Sequence, residues 1–271
     1  MYRRERVDRD RTERIISLDA FRGLTIAGMI LVNNPGSWSH IYGPLRHAEW
    51  HGVRLADLVF PFFLFIVGVS VAISFGRRLA SGEGKRSLYS KIVRRALILF
   101  ALGLLLNGFP HYDLSSLRIP GVLQRIAVCY LATAAIFINS TWKGQLAWAA
   151  GLLLLYWAAM EWIPYPGGSA GLYERGNNLA SWLDGRLLAG HMWAVTKRWD
   201  PEGILSTLPA ISTTLSGVLA GMWLTTDRAP RERATALIAA GAAAAATGSL
   251  WHLLMPINKS LWTSSYALFT A

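Results

Sequence analysis

Long apolar runs separated by short, charge-bearing stretches set the pattern of this chain. They lie near residues 16–35, 55–76, 92–109, 121–139, 145–163, 205–224 and 234–254, and another begins near Leu261. A helix needs about 20 apolar residues to cross roughly 30 Å of hydrocarbon. The pattern therefore predicts an all-α, polytopic transmembrane bundle of about seven complete spans and a partial eighth. The run from Leu261 offers only about ten apolar residues before Ala271, too few to span. The third run is short and recruits Ile92 and Val93, with Arg94 and Arg95 snorkelling to the interface. The seventh, IAAGAAAAATGS, suits close helix–helix approach. No fixed-period repeat and no long polar linker divides the chain, so residues 1–271 read as one domain. It carries a basic tail at 1–15 and a long outward-facing loop at 164–204.

Composition narrows the class. Hydrophobic residues make up 53% of the chain and charged residues 16%, and the mean hydropathy is +0.32, too apolar for a soluble domain of this length. Twelve Trp suit the belts where a bilayer meets water. The first run has no small-residue cleavage site after it and reads as a retained signal anchor. Cys129 is the single cysteine, which excludes a disulfide framework and a Cys-rich metal site.

The net charge of +11 could point to nucleic acid, but its distribution points to topology. Loops on the N-terminal side hold 17 Lys and Arg and the opposite loops hold 8. By the positive-inside rule the N-terminus is cytoplasmic, and residues 33–54, 110–120 and 164–204 face outward. The basic charge serves orientation and attraction to lipid, so no nucleic-acid partner is expected.

The candidate chemistry gathers where the first two runs meet. The loop from Asn33 holds His40, His47 and His51 beside Trp38, Trp50 and Glu49. A neutral imidazole there can take a proton near neutral pH or act as a nucleophile; it can equally hydrogen-bond a loop carbonyl and do nothing more. His47 and His51 are spaced i, i+4, as in a helical zinc pair, but Gly43 and Pro44 interrupt the approach and no further acid beyond Glu49 has ligand-like spacing. No metal is expected. Asn33 ends the first run just before Asn34 and Pro35, where its amide could serve an oxyanion or merely finish a helix. Asp19 and Arg22 are spaced for an ion pair. Asp57 and Arg125 both lie just inside the outer boundary, and ionisable groups at that depth pair or line a cavity, so an Asp57–Arg125 bridge is expected. Pro61 should free backbone carbonyls in the second run. Pro120 and Pro201 mark helix entries, with Glu202 favoured by the helix dipole. Asn258 and Lys259 fall at an outer helix start.

Taken in order, SLDAFRG (17–23), Val32–Asn33, HAEWHG (47–52), ADLVFPFFLFIVGVS (56–70), RIPGVLQR (118–125), DPEGIL (200–205) and NKSLWTSSY (258–266) resemble the heparan-α-glucosaminide N-acetyltransferase family, in its compact bacterial form. The resemblance runs from Ser17 onward; family members have further helices after NKSLW. It implies an enzyme of a bacterial inner membrane moving an acetyl group from cytosolic acetyl-CoA to the amine of a glucosamine-like sugar or glycan outside. It also implies that His47 is the essential histidine and Asn33 the active-site asparagine. Arg22, Arg125 and Asp57 are the candidates for contacts to the acetyl-CoA co-substrate. The bilayer, acetyl-CoA and the acceptor are the expected partners, and a homodimer is left open. A carrier or flippase for an amino sugar or lipid-linked glycan would use the same bundle, with helices interrupted at Pro61 and Pro209. An O-acetylating enzyme would differ only in its acceptor.

Overall fold

The computed structural model describes residues 16–271; the expected basic tail at 1–15 lies outside the described residues. They form nine helices: α1 Ile16–Asn33, α2 Leu55–Ala80, α3 Lys85–Gly108, α4 Val122–Asn139, α5 Trp142–Trp162, α6 Leu179–Leu187, α7 Thr207–Leu224, α8 Pro230–Trp251 and α9 Ser264–Phe269. No strand forms among the described residues beyond isolated bridges at Gly52–Asn258 and Glu174–Asn177.

Each apolar run becomes a helix. Five helices (α1, α2, α4, α7 and α8) are long and apolar enough, by length and composition, to cross a membrane. At 24 and 21 residues, α3 and α5 have the length, but cations fill the first half of α3 and polar or Trp positions dilute α5. Residues 252–263 turn back into the protein, and the six-residue α9 is buried against the bundle at Ser264, Ser265, Tyr266 and Ala267.

The bundle is built around α2 and α7, whose backbones touch. A Cβ placed on Gly68 would fall 1.9 Å from the carbonyl oxygen of Thr214, and one on Gly217 would fall 2.1 Å from that of Phe65. Only glycine fits at either point, the small-residue contact by which helices pack in lipid. Around this pair α3 packs on α4 and α5 on α7. At the edge, α1 buries only Thr25 and Val32, and α8 only Gly248. The apolar surfaces they leave open suit lipid rather than water.

The long helices run up and down, so the 34–54, 109–121, 163–206 and 252–263 connections gather at one end. Ile119 N–H donates to His191 O at 2.9 Å and Gly52 N–H to Ile257 O at 2.8 Å, so these loops are laced together. The 164–204 loop is not irregular throughout, since α6 lies inside it. This laced end carries the candidate site.

Candidate active site

Asp57 occupies the third position of α2, where its carboxylate folds back on the helix start. Its Oδ2 accepts from Arg54 N–H at 2.9 Å and Ala48 N–H at 3.1 Å. This is the returning half of a capping box, and it also places negative charge at the positive end of the helix dipole. The other oxygen, Oδ1, stands 2.7 Å from His47 Nδ1 and 3.4 Å from Lys259 Nζ. The Asp57 side chain is 1% exposed and that of His47 44%. One group is fixed in the wall and the other is presented to open space.

Pro61 acts on the same residue from the opposite side. Proline has no N–H, so the carbonyl four residues before it, that of Asp57, loses its helical donor. The Tyr266 hydroxyl of α9 supplies one at 2.5 Å. The last helix thereby holds the first turn of α2.

HAEWHG and NKSLW, far apart in sequence, are stitched together. Asn258 Nδ2 donates to Trp50 O at 2.9 Å, and its Oδ1 accepts from Leu261 N–H at 2.9 Å. The expected helix start at Asn258–Lys259 is instead a buried turn. It delivers Lys259 Nζ to 3.0 Å from His47 Nδ1. Burial pulls the Lys259 ammonium below its ordinary value, with the Asp57 charge pulling back. Trp262, in the same turn, takes a left-handed φ of 47°. Such strain persists only where packing over-determines it, and here the ring is locked edge-on against Phe60 at 5.0 Å and Tyr266 at 5.4 Å.

These groups open on a cavity of about 630 Å³ lined by His47, Asp57, Lys259, Arg118 and Glu202, with Trp50, Trp193, Trp199 and Trp262 among its walls. Trp50 and Trp199 meet edge to face at 5.1 Å, and the Arg175 guanidinium lies 5.3 Å from the Trp50 ring centre. Indole faces beside a few fixed polar groups form a surface suited to sugar rings.

Opposite His47, the RIPG and DPEG motifs meet. Arg118 grips Asp200 with two hydrogen bonds, at 2.8 and 2.6 Å, and reaches Glu202 at 2.5 Å. Burial pulls the Arg118 guanidinium down, but its bond to Asp200 and the Glu202 charge outweigh that and raise it. Burial pushes the Glu202 carboxyl up against the pull of Arg125 and Arg118. DPEGIL is a tight turn closed by Gly203 N–H on Asp200 O, and α7 begins only at Thr207. Glu202 is thus held by Arg118 rather than by a helix dipole. Beneath it, Asp184 accepts from Ile204 N–H at 3.0 Å and Asp200 N–H at 3.3 Å. Burial pushes the Asp184 carboxyl up to about 6.

The other expected residues are dispersed. Asp57 and Arg125 do not pair: Asp57 turns to His47 and Lys259, while Arg125 is buried below the cavity floor, donating to Gly203 O at 3.0 Å and to Ser206 Oγ. Similar depth in a bundle does not fix which way a side chain points around its helix. The Arg125 guanidinium lies 5.2 Å from the Trp262 ring centre, and its Nε and Nη1 have no partner among the described residues. Asn33 is exposed at the end of α1 and lines no part of the cavity. Arg22 sits at the opposite end of the bundle, paired with Asp19 at 3.1 Å as expected and donating to Ser70 Oγ at 3.2 Å. Residues 46–54 are not helical, so the i, i+4 spacing of His47 and His51 has no geometric meaning. His40 Nδ1 contacts Ser39 at 2.9 Å, and His51 Nδ1 lies 3.4 Å from Asn258 Nδ2. Burial, and then His252, lower the His51 imidazole.

A family profile described as "Heparan-alpha-glucosaminide N-acetyltransferase, catalytic" matches residues 14–253. The chain belongs to this family. Two curated relatives, each named heparan-alpha-glucosaminide N-acetyltransferase, are similar along most of its length. That of Mus musculus is 30% identical over 320 aligned positions, covering 95% of this chain and 47% of the relative. That of Homo sapiens is 31% identical over 309 positions, covering 93% and 46%. The chain spans somewhat less than half the length of these relatives. Within this heparan-α-glucosaminide N-acetyltransferase family member, Lys259 and Tyr266 lie past residue 253, where the profile match stops.

Proposed function

We propose that this chain forms the acetyl-transferring site of a membrane-bound N-acetyltransferase, which moves an acetyl group from cytosolic acetyl-CoA to the amine of a glucosamine-like sugar on the outer side. The observation that carries the reading is the His47 imidazole, tied at Nδ1 to the buried Asp57 carboxylate and facing a tryptophan-lined cavity. The N-acetyltransferase relatives support the reaction class, the 17-to-8 cation asymmetry supports a cytoplasmic N-terminus, and a bacterial inner membrane rests on the resemblance to the compact bacterial form.

The chemistry follows from the atoms. A thioester is already activated, so the step left to the protein is taking the proton from the acceptor nitrogen. With Nδ1–H donated to Asp57, the lone pair of His47 is on Nε2, and the carboxylate stabilises the imidazolium that forms. General-base catalysis of this kind is worth about 10²–10⁴ in rate. Covalent transfer through an acetylated Nε2 would use the same lone pair.

The cofactor residues divide by position. Arg22 and the cations between Arg77 and Arg95 lie at the N-terminal end of the bundle and suit the phosphates of acetyl-CoA. Arg125, whose Nε and Nη1 find no partner among the described residues, fits an acceptor atom of the donor reaching through the bundle. We assign Asp57 to the imidazole rather than to the co-substrate. Asn33 has the oxyanion role on its motif match alone.

Membranes containing the chain, incubated with labelled acetyl-CoA and a panel of amino sugars, should yield N-acetylated product, and CoA should raise the thermal stability of the purified protein. Sugar uptake without acetylation, and no response to CoA, would favour the carrier instead.

A further inference from the structure

His47 Nδ1 has two neighbours that cannot both be satisfied. Asp57 Oδ1, at 2.7 Å, needs it to carry a proton, and Lys259 Nζ, at 3.0 Å, needs it to carry a lone pair. An imidazole nitrogen offers one or the other. If Nδ1 donates to Asp57, the Lys259 ammonium faces an N–H. If Lys259 donates to Nδ1, the carboxylate faces a lone pair, and Nε2 carries a hydrogen where the base should be. The shorter, charge-assisted contact to Asp57 favours the first state. In that state a proton arriving on Nε2 creates an imidazolium beside an ammonium.

We infer that Lys259 is a positioning residue that governs the protonation of His47: the ammonium and the imidazole compete for one positive charge opposite Asp57. The inference rests on the reading of His47 as the proton-handling group. Proton uptake at Nε2 is eased when Lys259 gives up a proton to the water of the cavity it lines, and is resisted while Lys259 stays charged. Partial burial of Lys259, 26% exposed in its side chain, already weakens its hold on a proton.

Other charges facing His47 are accounted for. Asp57 comes from α2 and Lys259 from the α8–α9 connection. Glu49 lies on its own loop. Across the cavity, Arg118 is shared between Asp200 and Glu202, and Arg175 is held over Trp50 with a hydrogen bond to Glu49 O. Lys259 is the cation within hydrogen-bond reach of the ring.

Carbethoxylation by diethyl pyrocarbonate requires a neutral imidazole, and peptide mapping by mass spectrometry separates His47 from the other histidines. Its rate at His47 against pH therefore reads the competition on the full chain in membranes, with no substrate present. Replacing the cation in Lys259→Met should raise the midpoint by about one pH unit or more, since unit charges this close interact by more than a tenfold change in proton affinity. Lys259→Arg, which keeps the charge, should follow the wild type, and Asp57→Asn should lower the midpoint. Lys259→Gln, uncharged but able to donate, is the second variant should Lys259→Met not fold, and it should shift like Met. Equal midpoints in wild type and the uncharged variants, or an equal shift in Lys259→Arg, would overturn the coupling. If acetyl transfer is absent altogether, the proposed function fails while these midpoints stay readable.

Discussion

Tyr266 donates its hydroxyl proton to the main-chain carbonyl of Asp57 at 2.5 Å, across 209 positions of sequence. The bond exists because Pro61 removes the donor this carbonyl would have had inside α2. Tyr266→Phe leaves the carbonyl buried and unpaired, which costs about 1–3 kcal/mol. Adding Pro61→Ala returns an N–H to the helix, so the double variant should lose less than the two single losses summed. Thermal unfolding of the four proteins in one detergent measures the coupling; strict additivity would show that the phenol does not serve this carbonyl.

Asp57→Asn tests the carboxylate's role in chemistry. An amide in this place can donate to Nδ1, and that moves the imidazole hydrogen to Nε2. The turnover number should fall by about 10²–10⁴, while KM for the acceptor changes little. A change confined to KM would mean that Asp57 holds ligand and not His47.

Arg118 bridges two motifs 82 positions apart; of its carboxylate partners, Asp200 is buried and Glu202 is part-buried at the cavity wall. Arg118→Ala strands Asp200 and Glu202, at a cost of about 3–5 kcal/mol for a broken buried pair. Truncating Arg175, which lies over an indole at the cavity rim, should cost under about 1 kcal/mol, as surface charges do. Chemical or thermal unfolding ranks the two, and an equal loss would contradict the assignment.

Asp184 gives a pH dependence of known sign. Its carboxyl is raised from 3.8 to about 6 by burial. A raised folded value means the protonated acid is favoured by folding. Its contribution is complete below pH 3.8 and is lost as pH rises through about 6. Asp184→Asn should therefore flatten the stability profile across that window, relative to wild type. An unchanged profile would mean Asp184 does not titrate there.

Much of the fold was legible because lipid demands long apolar runs, and those runs placed α1 to α5, α7 and α8 with most ends within a few residues, whereas α6, a short helix inside the outward loop, left no apolar run. The start of α3 at Lys85 was not legible, because Lys and Arg at an interface break the apolar pattern without breaking the helix. The site was half legible. The position of His47 at the mouth of α2 could be read locally, and Asp57, ten residues on and in the first turn of the helix the loop enters, could have been paired with it on the same grounds. Depth alone suggested Arg125 instead, since depth says nothing of rotation about a helix axis. Lys259 lies 212 positions from His47, and no periodicity foretells a contact made only when the bundle closes.

Orientation can be read from the same chain. Cys129 is buried, so single cysteines at exposed Ser39, Ser169 and Ser81 report alone. An impermeant thiol reagent added to intact cells should label the first two and spare the third. Labelling at Ser81 with protection at the others would reverse the topology.

The most direct measurement is acetyl transfer from labelled acetyl-CoA to glucosamine by membranes carrying wild type, His47→Ala and His51→Ala. The account predicts loss of about 10² or more in His47→Ala with CoA binding retained, and near-wild-type rates in His51→Ala. Full activity in His47→Ala, with the loss falling on His51→Ala, would contradict it.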